Sequence, residues 1–484
     1  MSLPRPHIVW FRDDLRIADN PALINAERSG APILAVYVLE DGTGDNRPLG
    51  AAARWWLHGS LEALKRALDA HGVSLVLRKG KPGEELLKIA ASVNACAVSW
   101  NRRAGTGMKD RDDAMLIDAL HRDGIKTEHF LANTLFEAKD LRTGSGDAYR
   151  VFTPFWRAAC RLVPEAPLPA PKKLRGWTGN AEGDDLESWA LRPRSPDWAA
   201  GFAQAWIPGE EDAHRRLQAF LEYSISEYAE ARDRPGEAAT SRLSPSLRFG
   251  EISPRQIWHG VKASLSAGDT SERDGDKFLA ELGWREFCCH LLADHPLIAT
   301  RNFNSDYDHF PWSGSGEVVA RWQEGQTGYP IVDAGLRELW ATGWMHNRVR
   351  MITASFLTKH LLVDWRVGEE WFWDTLVDAD PANNPAGWQW VAGCGADAAP
   401  YFRIFNPVLQ GEKFDPDGAY TRHWVPELEH LDKRWLHQPW KAPEDALRKA
   451  GITLGRSYPS PIVDHPKARK RALEAYDEMK NAAG

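Results

Sequence analysis

From His7 to about Ala132 short apolar runs alternate with amphipathic stretches. The runs are Ile8-Val-Trp-Phe11, Ile33 to Leu39, Ser74 to Leu77, Ala95 to Trp100 and a more polar one from Lys126 to Leu131. Between them, Ala51 to His71 repeats Trp56, Leu57, Leu61, Leu64 and Leu68 at helical spacing, and Pro82 to Val93 reads as a second helix. Strand and helix in alternation predict a parallel sheet covered by helices, a Rossmann-like domain. Glu137 to about Ile207 loses this rhythm. With Pro164, Pro167, Pro169, Pro171, Pro193, Pro196 and Pro208 in or beside it, the stretch reads as a long surface connector. From Glu210 onward strand signals almost vanish and helical patterns follow one another. The expected class is α/β plus all-α: a Rossmann-like parallel-sheet domain over residues 1–135, a linker over 136–207 and a helical domain over 208–484.

Composition changes this picture in two places. A chain of 484 residues exceeds one ordinary core, which agrees with more than one domain. Twenty-three tryptophans are several times the usual share, and most lie after residue 154. The remaining quantities mainly exclude. Five scattered cysteines without a C-x-x-C pair argue against a disulfide scaffold, a zinc site or an iron–sulfur cluster. No run approaches the ~20 apolar residues of a membrane span and no signal segment opens the chain, so the expected location is the cytoplasm. A net charge of −7 argues against a surface coated in basic residues, but says nothing of a local basic face. Gly42-Thr-Gly44 follows the second candidate strand, yet Arg47 stands where a dinucleotide fingerprint has its third glycine. No G-x-x-x-x-G-K-[ST] loop occurs.

Four stretches carry candidate chemistry. Asp378 to Val391, D-A-D-P-A-N-N-P-A-G-W-Q-W-V, holds two prolines and a glycine, which oppose a long helix through Asp378 to Gly387. It reads either as a shaped loop whose carboxylates, amides and indoles grip a polar flat ligand, or as a buried turn with capping carboxylates and core tryptophans. If Trp388 and Trp390 open the next helix, their rings point in different directions. Thr240-Ser-Arg-Leu-Ser-Pro-Ser246 suggests Ser244 as a helix N-cap with Pro245 next, either an ordinary capped helix or a phosphate corner. Lys277 to Phe287 reads as a helix with Glu281, Trp284 and Arg285 on one face, suited to a surface ion pair or to stacking on a base. Trp344 to Met351 reads as a helical segment with Asn347, Arg350 and Met351 on one face, Arg348 elsewhere and His346 structural.

Taken together these motifs resemble the DNA photolyase/cryptochrome family over nearly the whole chain. The similarity is carried by Trp10-Phe-Arg-Asp-Asp-Leu-Arg16, Asp19 to Leu23, Thr240 to Ser244, Glu281 to Glu286, Thr327 to Asp333, Gly343 to Met351, Asp378 to Trp390 and Tyr401 to Pro407. The resemblance implies a folded-up FAD in the helical domain, active as FADH⁻. Tyr228, Thr240, Ser241, Arg242, Leu243 and Ser244 would lie around its phosphates, and Arg285 would also bind it. Arg350 would pair with Asp378 beside the flavin ring, Asp380 would hydrogen-bond that ring and Asn384 would face N5. The implied substrate is DNA with a flipped-out cyclobutane pyrimidine dimer, contacted by Glu281, Trp284, Asn347, Met351 and Trp390. Arg232, Arg348 and Arg403 match positions that meet DNA phosphates. Trp388, Trp365 and Trp312 match the family's tryptophan chain from flavin to surface. The implied activity is light-driven splitting of the dimer by electron transfer, in a monomer.

The rival readings are a cryptochrome-type blue-light receptor, opposed by Asn384 and Met351, and a (6-4) photolyase, opposed by Met351. No metal is expected. The expected antenna chromophore is 5,10-methenyltetrahydrofolate, although Trp100 to Met108 departs from the Asn-Glu pair of familiar folate-binding photolyases.

Overall fold

The computed structural model describes residues 3–40, 42, 47–103, 109–399 and 402–483. Gly44, residues 104–108 of the antenna stretch and Tyr401 of the last motif therefore lie outside the described residues. By its internal contacts the chain forms two compact units. The first is Met1–Ser226 with Ser241–Pro296, and the second is Glu227–Thr240 with Leu297–Gly484.

In the first unit the five apolar runs are β1 (His7–Phe11), β2 (Ile33–Leu39), β3 (Leu75–Lys79), β4 (Ala97–Asn101) and β5 (Lys126–Phe130). They form one sheet in the order β3-β2-β1-β4-β5, with every pairing parallel. Val9 of β1 lies opposite Ala35 of β2 on one side and Ser99 of β4 on the other. The central strand β1 and its neighbour β2 are buried along their whole length, as a parallel sheet covered on both faces requires. Helices Pro21–Arg28, Ala51–Ala70, Pro82–Ser92 and Lys109–Arg122 supply the crossovers.

The Trp10 to Arg16 motif and the Asp19 stretch prove to be architectural. Asp14, fully buried, accepts hydrogen bonds from the Arg12 backbone (2.6 Å) and Asn101 Nδ2 (2.6 Å). Arg16 donates to the carbonyls of Asp19, Ala132 and Gly250. Asp19 in turn accepts from Ser253 Oγ (2.5 Å) and Arg255 Nη2 (2.7 Å). These bonds join the end of β1 to the Ser241–Pro296 segment, which is helical yet belongs to the same unit. The stretch read as a bare connector also has structure. It contains the helix Phe152–Ala159, which buries Phe152, Phe155 and Ala159.

The second unit is helical, and its core gathers Trp322, Tyr329, Phe356, Trp365, Phe372, Trp388 and Tyr458. Tyr458 Oη donates to the buried Asp333 (2.7 Å), which also accepts from the Thr327 backbone (2.7 Å) and hydroxyl (2.6 Å). The Thr327 to Asp333 motif is thus a buried turn-and-cap arrangement. Among the described residues no helix is long and apolar enough to cross a membrane.

Candidate functional site

In the second unit the stretch opened by Asp378 is less of a loop than its prolines suggest. Helix Asn383–Ala392 starts within it, so Asn384 and Gly387 are helical. Pro385 is accommodated because the first four N–H groups of a helix have no intrahelical acceptor, and a missing donor there breaks no bond. Asp380 prepares the start. Its Oδ1 accepts from the backbones of Ala382 (2.9 Å) and Asn383 (2.7 Å) and from Asn383 Nδ2 (2.8 Å).

Hydrogen bonds orient three side chains here. Arg350 donates from Nε to the Met345 carbonyl (2.7 Å) and from Nη2 to Asp378 Oδ2 (2.8 Å), so its guanidinium cannot swing. Asp378 is buried, and its Oδ1 has no hydrogen-bond partner among the described residues. A buried acceptor of this kind is costly unless a ligand donor meets it. Asn384 gives both its amide bonds to Glu369, at the carbonyl (3.0 Å) and at Oε1 (2.8 Å), which turns the Asn384 amide oxygen the other way. Glu369 sits at 1% exposure and was not legible as a site residue, because no local pattern links positions fifteen apart.

The tryptophans divide by environment. On helix Asn383–Ala392, Trp388 points into the core, edge-on to Phe372 (4.9 Å), and its buried Nε1 has no partner among the described residues. Trp390, two residues on, is half-buried and donates to the Asp397 carbonyl (3.0 Å). The two rings diverge as their spacing requires. Trp365 is fully buried with Nε1 on Asn302 Oδ1 (2.8 Å), and Trp312 is half-buried against Phe310 (4.3 Å).

Helix Asn347–Ser355 begins later than the pattern suggests, so Trp344 to His346 precede it. His346 is its N-cap: Nδ1 accepts from the Arg348 backbone (3.2 Å), and burial lowers its pKa to about 4, keeping the ring neutral for that role. Asn347 is exposed and Met351, one turn on, half-buried. Arg348 pairs with Asp233 (2.8 Å) and lies over the Phe414 ring (4.4 Å). Burial opposes ionisation of Asp233, yet the Arg348 guanidinium holds its pKa below the ordinary carboxylate value. Arg232 lies over the ring of buried Tyr228 (5.6 Å) and 3.7 Å from Asp233, while Arg403 is exposed.

In the first unit, helix Ser244–Phe249 opens one residue earlier than expected. Leu243 holds the cap position and no side chain caps the helix, so Ser244 is a first helical residue and not the N-cap. Arg242, at a φ of 50°, lays its guanidinium over Trp206 (4.5 Å). Thr240 and Ser241, both half-buried, stand where the chain passes from one unit to the other. On helix Glu272–Asp294, half-buried Glu281 lies 3.7 Å from Lys277. Trp284 stacks on Phe152 (3.9 Å between centroids). Arg285 is tied to the Asn133 carbonyl (2.8 Å), beside the fully buried Glu286.

Besides the doubly wound sheet unit, the chain has a helical unit that holds a buried carboxylate paired with a guanidinium that lies 5.8 Å from the buried Trp344 ring, and a locked amide on the helix that carries Trp388, an arrangement suited to a flat polar cofactor. Two family models match the chain, DNA photolyase over residues 7–172 and the FAD binding domain of DNA photolyase over 278–478. The deoxyribodipyrimidine photo-lyase of Agrobacterium fabrum is 51% identical, with 98% of each chain covered. Cryptochrome-1 of Arabidopsis thaliana is 37% identical over 98% of this chain and 70% of its own. A crystal structure of a bacterial class III photolyase from Agrobacterium tumefaciens superposes with a TM-score of 0.95 at 50% identity, covering 99% of this chain and 98% of that one. The chain belongs to the DNA photolyase/cryptochrome family.

Proposed function

We propose that this protein is a light-driven DNA repair enzyme that splits cyclobutane pyrimidine dimers with FAD as its redox cofactor. The observation that carries the reading is the clamp in the helical unit. Asp378 keeps one buried oxygen on Arg350 and the other without a partner among the described residues, and Asn384 is locked by Glu369 with its amide oxygen turned away. That pair of acceptors fits a flavin ring, which offers N–H groups to a carboxylate and to an amide oxygen and tolerates a neighbouring guanidinium. Held there, a reduced flavin would supply the light-driven, reversible one-electron chemistry that opening the dimer requires.

The protein's own share is to hold and to recognise. Arg350 and Asp378 orient the ring, with Asp380 as a further hydrogen-bonding partner and Asn384 at N5. A neutral amide there avoids placing a second negative charge beside a reduced flavin. Tyr228, Thr240 to Ser244 and Arg285 are assigned to the remainder of the cofactor. Glu281, Trp284, Asn347, Met351 and Trp390 are assigned to the dimer, and Arg232, Arg348 and Arg403 to DNA phosphates. Trp388, Trp365 and Trp312 are assigned to re-reduction of oxidised flavin, which the apolar burial of the first two supports. The antenna is taken to be methenyltetrahydrofolate, and acid extraction of the chromophores with absorbance spectroscopy identifies it.

Purified, photoreduced protein is mixed with single-stranded and duplex DNA bearing either cyclobutane dimers or (6-4) products and illuminated. Loss of the cyclobutane dimers alone, only in the light, is the expected result. Survival of both lesions in both DNA forms would sink the repair reading in favour of a light receptor.

A further inference from the structure

The helix Phe152–Ala159 lies in the stretch whose sequence reads as a connector, yet it makes the closest aromatic contact of Trp284. The rings of Phe152 and Trp284 have centroids 3.9 Å apart and planes 8° from parallel. Beyond Phe152 the ring of Trp156 continues the stack at 6.1 Å and 11°. Phe287 meets Trp284 edge-on at 5.9 Å and 77°. Trp156 is itself seated in a notch made by Gly283, where an added Cβ would come within 2.3 Å of its ring. Trp258 closes the row, edge-on to Trp156 at 6.0 Å. One face and one edge of the Trp284 indole are therefore occupied, and since the residue is only half-buried, its exposed surface is confined to the opposite face and the far edge.

We propose that Phe152 is a positioning residue for Trp284, fixing the plane of the indole so that its open face is preset to receive the dimer. This rests on the assignment of Trp284 to dimer recognition. The physical reason is preorganisation. An indole free to turn about χ1 and χ2 loses that freedom when a ligand stacks on it, whereas one already stacked on Phe152 has lost it on folding. Parallel, offset aromatic pairs add attraction beyond the area they bury. A phenylalanine serving only as core filler would be replaceable by leucine without consequence for a ligand.

The test uses flavin-loaded protein in the dark and titrates it into a labelled oligonucleotide with one cyclobutane dimer and into the same undamaged oligonucleotide. F152L keeps apolar bulk but removes the ring, and it is expected to weaken dimer binding about fivefold, with undamaged DNA and flavin content unchanged. F152Y, which restores a ring, is expected to bind like wild type. W284A should weaken dimer binding, and F152L/W284A should be no weaker than W284A alone, because the two residues act as one unit. Dimer affinity of F152L within twofold of wild type, or a full additional loss in the double variant, overturns the proposal. If W284A itself leaves dimer affinity untouched, the assignment of Trp284 falls and the proposal falls with it, a result distinct from failure of F152L alone.

Discussion

Glu251 is fully buried in the first unit, where Trp56 Nε1 (3.0 Å) and Ser60 Oγ (2.5 Å) both donate to its Oε1. Desolvation pushes its pKa up to about 7 despite those donors. The folded protein therefore keeps this proton through a range in which the unfolded chain has lost it. Its contribution to stability is full below the ordinary carboxylate value and declines as pH rises from about 4.5 to about 7. E251Q retains an acceptor for both donors and carries no charge, so at pH 8 it is expected to melt at or above the wild-type temperature. E251A strands the Trp56 and Ser60 donors, at about 1–3 kcal/mol for such a loss, and its melting point should fall by several degrees. Calorimetry on both variants decides, and an E251Q less stable than E251A would refute the protonated reading.

Between elements, close approach matters more than residue type. Helices Trp365–Thr375 and Asn383–Ala392 cross where Gly368 faces the Trp388 indole, and a Cβ on Gly368 would stand 2.1 Å from that ring and 2.7 Å from Leu357. A methyl group there must push Trp388 aside or part the helices, an overpacking that costs about 1–3 kcal/mol. G368A is expected to lower the melting temperature by several degrees and to slow photoreduction of oxidised flavin, read by its absorbance under steady blue light. Unaltered photoreduction in a folded G368A would show that the exact seat of Trp388 is immaterial to that path. This crossing was not legible in the sequence, since Gly368 and Trp388 are brought together only by the intervening turn. The strands were, to within a residue or two, because alternation of apolar runs with amphipathic helices reports burial directly. The start of the helix at Asn383 was missed for a local reason: a proline in the first turn looks like a breaker although it removes no hydrogen bond.

Across the molecule, opposing sets of buried and half-buried groups set the response to acid. Burial lowers the pKa of His7 and His346 to about 4 and of His360 to about 3, and also lowers those of His58, His290, His295, His437 and His465. Against them, Asp14, Glu251, Glu286 and Asp333 are raised, chiefly by desolvation. As pH falls below about 6.5 the unfolded chain protonates these eight histidines more readily than the folded one does, so their contribution to stability declines with falling pH. The carboxyls act in the opposite sense over part of that range, but they are fewer. The melting temperature is therefore expected to fall from pH 7 to pH 5, and a flat or rising profile in a pH series would contradict this balance.

The sequence by itself determined the order of strands and helices along the chain, the division of character between an α/β part and a helical part, and the motifs that carry the family resemblance. Those are properties of local pattern, and local pattern survives without knowledge of the chain's path. Only the tertiary structure decided what each motif does physically. Arg16 and Asp19 bind a segment more than two hundred residues away, Glu369 turns the Asn384 amide, and Phe152 covers one face of Trp284 from a stretch that reads as a tether. Such contacts depend on which surfaces meet when the whole chain packs, and no periodicity along the chain encodes that meeting.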